Sequence, residues 1–177
     1  MGREIERKFT VRRLPENLSD YPYRIIEQGY LNVAPAIRVR SDGLYTPGAA
    51  EGTDQHWYMT YKARNTGGSA YDAALSHEEY NLPLDEASYV HLLTKADGHI
   101  LRKRRYLIPT RAPEGTDATL TIELDIFEAP HEGLQIAEVE FPDETVARAY
   151  QPEEWFGEDV TGDPAYSNAR LSEQHPA

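Results

Sequence analysis

The sequence predicts an α+β protein, mainly antiparallel β, with about eight strands closed into a barrel and helices packed outside. Three observations predict it. Short segments of period-two alternation, separated by turn-forming residues, fill most of the 177 residues. Charges at alternate positions recur in one segment after another, so that charged and apolar side chains are sorted to opposite strand faces. Helical signals are few, with neither heptads nor an internal repeat. A sandwich with one charged outer face is the competing architecture.

The first strand is 4–9, which puts Glu4, Glu6 and Lys8 on one face and Ile5, Arg7 and Phe9 on the other. Residues 14–18 read as a short turn of helix. Strands follow at 25–31 and 37–40, the latter with Arg38 and Arg40 on one face. The Gly- and Pro-containing stretch 42–54 reads as a long hairpin excursion. Segment 56–64 is aromatic-rich and places Tyr58, Thr60, Lys62 and Arg64 on one face. A loop at 65–69 leads to a strand at 77–82, which Pro83 ends. Asp85 then caps the best helix, with Ala87, Val90, Leu93 and Leu92 as its apolar stripe and Gly98 as its stop. Strand 100–109 carries Arg102, Lys103, Arg104 and Arg105, and alternation alone leaves open which pair points inward. Strand 119–127 sets Leu120, Ile122, Leu124 and Ile126 against Thr121, Glu123, Asp125 and Phe127. Strand 134–141 sets Glu138 and Glu140 against Ala137, Val139 and Phe141. A short helix is expected at 143–150, and Asp163-Pro164 opens a last helix toward Leu171.

Composition narrows the function. The 20.1 kDa mass and 40% hydrophobic content suit one domain, residues 1–177, with a sizeable core. No run of about 18 apolar residues is present, which argues against a membrane span. The charged N-terminus running straight into a strand leaves no room for a signal peptide. Zero cysteine removes disulfides, thiolate metal sites and a cysteine nucleophile, and a cytoplasmic location fits. A net charge of −12 and a pI near 4.9 disfavour nucleic acid and anionic membranes as partners. Any polyanion must bind in a local, enclosed basic site. His77, His91, His99 and His131 show no metal-ligand spacing.

The charged rows combine basic Lys8, Arg38, Arg40, Lys62, Lys103 and Arg105 with acidic Glu4, Glu6, Glu79, Glu123, Asp125, Glu138 and Glu140. Arginine forks and lysine ammonium groups bind phosphate oxygens. Carboxylates bind Mg²⁺ or Mn²⁺, which bridge to the same phosphates. A lining of both signs therefore suits a polyphosphate held with a divalent metal. Cross-strand ion pairs that only stabilise a barrel are the structural alternative.

Glu4-Ile5-Glu6-Arg7-Lys8-Phe9 resembles the Glu-x-Glu-x-Lys signature of the CYTH superfamily, the triphosphate tunnel metalloenzymes. Gln28-Gly29-Tyr30-Leu31, Ile37-Arg38-Val39-Arg40, Thr60-Tyr61-Lys62, Glu78-Glu79-Tyr80, Lys103-Arg104-Arg105-Tyr106, Glu123-Leu124-Asp125 and Glu138-Val139-Glu140-Phe141 follow in that family's order. The tail from Val160 through Asn168 and Leu171 is similar to bacterial members. The resemblance implies a tunnel of eight antiparallel strands binding a triphosphate inside. It implies metal ligation by Glu4, Glu6 and one or both of Glu138 and Glu140. It assigns phosphate oxygens to Arg38, Arg40, Lys62, Lys103 and Arg105, which favours Lys103 and Arg105 as the inward pair. Lys8 and Tyr30 would lie near the reacting phosphoryl group, and Glu123 and Asp125 would order water or a second metal. Glu79 joins the substrate-binding set, and the helix at about 163–172 would border one tunnel mouth. Asn81 departs from the pattern, since many relatives carry a second acid there.

Among the family's reactions, the compact form with the Val-Thr-Gly-Asp tail looks most like the inorganic triphosphatases. The expected activity is metal-dependent hydrolysis of tripolyphosphate to diphosphate and phosphate. The alternatives are a class IV-type adenylyl cyclase, a thiamine triphosphatase and a non-catalytic polyphosphate- or nucleotide-binding module. A small-molecule triphosphate is the expected partner, and a homodimer is compatible with the sequence.

Overall fold

The structure, a computed structural model, describes residues 2–49, 54–64, 76–116 and 119–173, with backbone alone at 2–4, 63–64 and 76–78. The strands are β1 (Gly2–Val11), β2 (Tyr23–Val33), β3 (Ala36–Tyr45), β4 (Asp54–Arg64), β5 (Ser76–Leu84), β6 (Asp97–Thr110), β7 (Leu120–Phe127), β8 (Gln135–Glu140) and β9 (Phe156–Asp159). The helices are α1 (Glu86–Leu93), α2 (Glu144–Ala149) and α3 (Asn168–Glu173), with 3-10 turns at Leu18–Asp20 and Pro164–Tyr166. The mainly antiparallel α+β class is as expected. Strand order is β5-β4-β3-β2-β6-β7-β8-β1-β9, and β1 also pairs with β5, from Gly2 opposite Glu79 to Ile5 opposite Ser76.

Alternation decides what each face meets. Ile5 and Phe9 of β1 point away from Glu6 and Lys8, into a core with Ile108, Leu120, Ile122, Leu124, Val139 and Phe141. Val146, Ala147 and Tyr150, from α2 and its end, together with Phe156 of β9, cover that core. Phe9 and Phe156 stack at 4.7 Å between ring centroids. Arg7, on the same face, turns its guanidinium to the carbonyls of Ala147 and Tyr150, both at 3.1 Å, and satisfies the carbonyl end of α2. A second cluster of Tyr30, Leu101, Phe127, Ile136 and Leu171 packs α3 against the sheet.

Several boundaries differ from the sequence expectation. Strand β9 was not expected, because four residues containing Gly, Glu and Asp carry little strand signal. Gly157 permits it: a Cβ there would meet Thr10 Oγ1 at 2.2 Å. The 42–54 excursion is shorter than expected, since Asp42–Tyr45 continue β3 and Asp54 begins β4. Residues 50–53 of that stretch and the 65–69 loop lie outside the described residues. Helix α1 starts as expected, with Asp85 accepting from the Ser88 amide at 2.7 Å. It ends at Leu93, and Gly98 lies instead in β6. Its buried residue is Tyr89, while Ala87 and Val90 are exposed. A polar partner sets that rotation: Tyr89 Oη donates to Glu27 Oε1 at 2.9 Å. Gly29 then leaves room for Leu93 and Ala96, which a Cβ would approach within 2.9 and 2.6 Å.

Candidate active site

Strand alternation carries one row after another into a single cavity of about 840 Å³. From β1 come Glu6 and Lys8; from β2, Arg24 and Tyr30; from β3, Arg38, Arg40 and Asp42. Strand β4 adds Tyr58 and Lys62, β5 adds Glu79, β6 adds Arg105, β7 adds Glu123, and β8 adds Glu138 and Glu140. The segment from Pro164 through Asn168 and Arg170 to Glu173 borders the cavity. Seven cationic and seven anionic side chains line it, so the lining is neutral inside a chain of net charge −12. The negative excess therefore lies elsewhere and does not exclude an anion from this cavity.

The cations differ in how they are held. Arg105 is 7% exposed and forms charge-assisted bonds to Asp125 (2.7 Å), Glu138 (2.6 Å) and Glu123. Lys8 Nζ pairs with Glu138 at 2.8 Å. Arg24 bonds Asp42 at 2.6 Å. Arg38 and Lys62 flank Glu79 more loosely, at 3.8 and 3.7 Å, and Lys62 also lies 3.9 Å from Glu6. The Nε of Arg38 is buried without a hydrogen-bond partner among the described residues. Arg40 donates from Nε and Nη2 to Gln28 Oε1, at 3.0 and 2.8 Å, and from Nη1 to Tyr58 Oη at 3.3 Å.

This network moves the protonation equilibria. Burial opposes charge on Glu138, but Lys8, Arg105 and Lys103 outweigh it and hold its carboxyl well below the usual range. Burial likewise opposes the charge of Lys8, and Glu138 with Glu6 more than restores it. Burial raises Glu123, with Arg105 pulling the other way and Glu138 and Asp125 adding to the rise. For Lys103 burial prevails over Asp125, and its pKa falls to about 8.

Of the residues expected from the sequence, Glu6, Lys8, Tyr30, Arg38, Arg40, Lys62, Glu79, Arg105, Glu123, Glu138 and Glu140 share the cavity lining. On β6 the inward pair is Lys103 and Arg105, while Arg102 and Arg104 are exposed. Lys103 and Asp125 are both 1% exposed and lie beneath the residues that line the cavity. Their 2.5 Å ion pair, backed by Asn168 Oδ1 at 3.2 Å from Lys103 Nζ, keeps them there. Glu4 lies on β1 opposite His77, where only backbone is described. Among the described residues no three acids converge closely enough to hold a metal as they stand, and Glu138 is engaged by Lys8 and Arg105. Asn81 is hydrogen-bonded on both sides: Thr60 Oγ1 donates to its Oδ1 at 2.7 Å, and its Nδ2 donates to Glu79 Oε1 at 3.0 Å.

The sequence reading missed Arg24, Asp42 and Tyr58 as lining residues. Alternation does extend to them, from Ile26, Arg40 and Thr60 respectively. Arg24 and Asp42 fell beyond the assigned strand ends, and Tyr58 was placed on the correct face without a role.

No family model matches the chain. An inorganic triphosphatase of Nitrosomonas europaea is 33% identical over 170 residues, covering 96% of both chains. An inorganic triphosphatase of Acetivibrio thermocellus is 32% identical over 179 aligned positions, covering 97% of this chain and 94% of that one. A crystal structure described as an inorganic triphosphatase matches with a TM-score of 0.61 and 29% identity, over 100% of this chain and 99% of that one. Another, described as a hypothetical protein, gives 0.60 and 30%, over 98% and 99%. Near-complete coverage at this identity, together with the ordered charged rows, means that the chain belongs to the inorganic triphosphatase family of the CYTH superfamily.

Proposed function

We propose that this protein hydrolyses inorganic triphosphate to diphosphate and phosphate in the charged cavity, with a divalent cation. The observation that carries the reading is the cluster of inward cations, above all Arg38 with a buried Nε that has no hydrogen-bond partner among the described residues. A buried charged donor left unsatisfied costs free energy, and a phosphate oxygen would satisfy it. The pairing of β1 with both β8 and β5 supports reading the sheet as a closed tunnel around the substrate, with β9 outside it.

The donor chemistry fits Mg²⁺ or Mn²⁺, because Glu6 and Glu140 stand opposite each other in register and Glu138 follows on the same wall, all with oxygen donors. Glu4, two positions from Glu6 on β1, completes the proposed set. When bound, the cation would neutralise phosphate charge and make the terminal phosphorus more electrophilic. Arg38, Arg40 and Lys62 grip phosphate oxygens, and Glu79, oriented by Asn81, spaces Arg38 from Lys62. Lys8 and Arg105 are held at fixed positions by Glu138 and stabilise charge on the reacting and leaving groups. Tyr30 borders the reacting group. Lys103 and Asp125 act from beneath, fixing Arg105. Water attacks the terminal phosphorus, the anhydride P–O bond breaks, and diphosphate leaves with the bonding electrons. Glu123, its pKa raised chiefly by burial, is suited to take the proton of that water.

The test is phosphate release from tripolyphosphate with Mg²⁺ or Mn²⁺, by wild type and by Glu6→Gln. The expected result is turnover that needs the cation and is lost by at least roughly a hundredfold in the variant, an effect in the range of one removed electrostatic stabiliser. Undiminished turnover in excess chelator would reject the metal assignment.

A further inference from the structure

The cations of this cavity fall into two kinds, and one residue makes the difference. Arg105 and Lys8 are neutralised by carboxylates at hydrogen-bond distance. Arg24 is likewise paired with Asp42. Arg40 is equally buried, at 6% exposure, yet its fork closes on the amide oxygen of Gln28. Its third described hydrogen bond is to the neutral Tyr58 hydroxyl. Among the described residues no carboxylate forms an ion pair with Arg40. Gln28 lies directly opposite Arg40 in the β2–β3 register and is fully buried. Its Nε2 is buried with no hydrogen-bond partner among the described residues. A glutamine retained for stability alone would be a poor choice, since an apolar side chain of the same size would avoid that cost.

We propose that Gln28 is a positioning residue that fixes the Arg40 guanidinium toward the cavity while leaving its positive charge without a directly paired carboxylate. The proposal rests on the triphosphatase reading for its consequence, which is that Arg40 offers its charge to a phosphate without first displacing a counter-ion. A two-bond fork to one neutral oxygen fixes the guanidinium plane. Arginine carries five N–H donors, and the three described bonds leave one on each of Nη1 and Nη2 for substrate. A carboxylate at position 28 would orient the fork equally well but would make Arg40 resemble Arg105. Preorganisation without neutralisation is what a site for a highly charged anion requires.

The experiment compares wild type with Gln28→Glu, which keeps shape and fork and adds the counter-charge, and with Gln28→Met, which keeps size and removes the fork. Tripolyphosphate binding is measured by calorimetry in chelator, and KM and kcat with the cation. Gln28→Glu is expected to weaken binding and raise KM roughly tenfold, the scale of one charge juxtaposition, with kcat changed far less. Unchanged affinity in Gln28→Glu would overturn the proposal, whether or not Gln28→Met folds. The Arg40 Nε–H signal in NMR of the ligand-free protein supplies a readout independent of substrate. It should exchange slowly with solvent in wild type and Gln28→Glu, and fast in Gln28→Met. Fast exchange in wild type, or equal protection in Gln28→Met, would contradict the positioning role. Failure of wild type to turn over tripolyphosphate with the cation would instead reject the proposed function, and the exchange rates would still decide whether Gln28 orients Arg40.

Discussion

Arg38 and Arg40 carry the same charge from the same strand face, and among the described residues neither is tied to a carboxylate within 3.5 Å. Arg38→Ala and Arg40→Ala should each weaken tripolyphosphate binding by ~1–3 kcal/mol, the range for hydrogen bonds to charged groups. Calorimetry checks this, and affinities equal to wild type would mean that neither grips the ligand. Lys103 is a residue of another kind. Buried at 1% exposure, with Asp125 partly offsetting the cost and Arg105 and Arg40 adding to it, it titrates near 8 instead of the ordinary 10.5. Between those values the unfolded chain binds a proton that the folded one has lost, so this group's contribution to stability rises with pH across the window. Below about 8 both states carry the charge and the burial penalty is fully present. NMR titration of the Lys103 side chain should give a midpoint near 8, and a midpoint at 10.5 would contradict the desolvation argument. Alternation along β6 sorts Lys103 and Arg105 from Arg102 and Arg104, but depth is beyond it. Nothing in residue spacing tells that Arg105 reaches the cavity while Lys103 stops beneath it.

Elements were legible where one face was uniform. On β7, Leu120, Ile122 and Leu124 alternate with Glu123 and Asp125, and the structure buries the first set in the core while turning the second toward the charged interior. On β1 the same rule separates Ile5 and Phe9 from Glu6 and Lys8. Phe9→Ala should therefore cost ~3–5 kcal/mol, the range for emptying a buried aromatic site. Denaturant unfolding measures it, and a loss below ~1 kcal/mol would show that the stack with Phe156 contributes little. Where a specific polar partner sets the packing, periodicity fails. Helix α1 turns Tyr89 inward because Glu27 accepts its hydroxyl, and Val90, a better apolar residue, is left 52% exposed. Strand β9 was illegible for a related reason: its place depends on Gly157 fitting against Thr10, a contact between residues distant in sequence.

At the scale of the molecule, a chain of net charge −12 confines seven of its 18 lysines and arginines to one neutral cavity. That distribution reconciles an acidic protein with a polyanionic substrate, because desolvated, oriented cations act at contact distance and the outer charge is screened by salt. Most of the charged lining could be read from the sequence, since each row lies within one strand. What could not be read was the pairing among rows, such as Arg105 with three acids and Arg40 with an amide, which only the strand order brings about. No described helix is long and apolar enough to cross a membrane. The most direct test of the account is a ³¹P NMR time course of the purified protein with tripolyphosphate and Mg²⁺, beside a parallel sample with ATP. Diphosphate and phosphate in equal amounts are expected from tripolyphosphate, formed faster than any product from ATP. Intact tripolyphosphate beside ATP converted to cyclic AMP and diphosphate would contradict it.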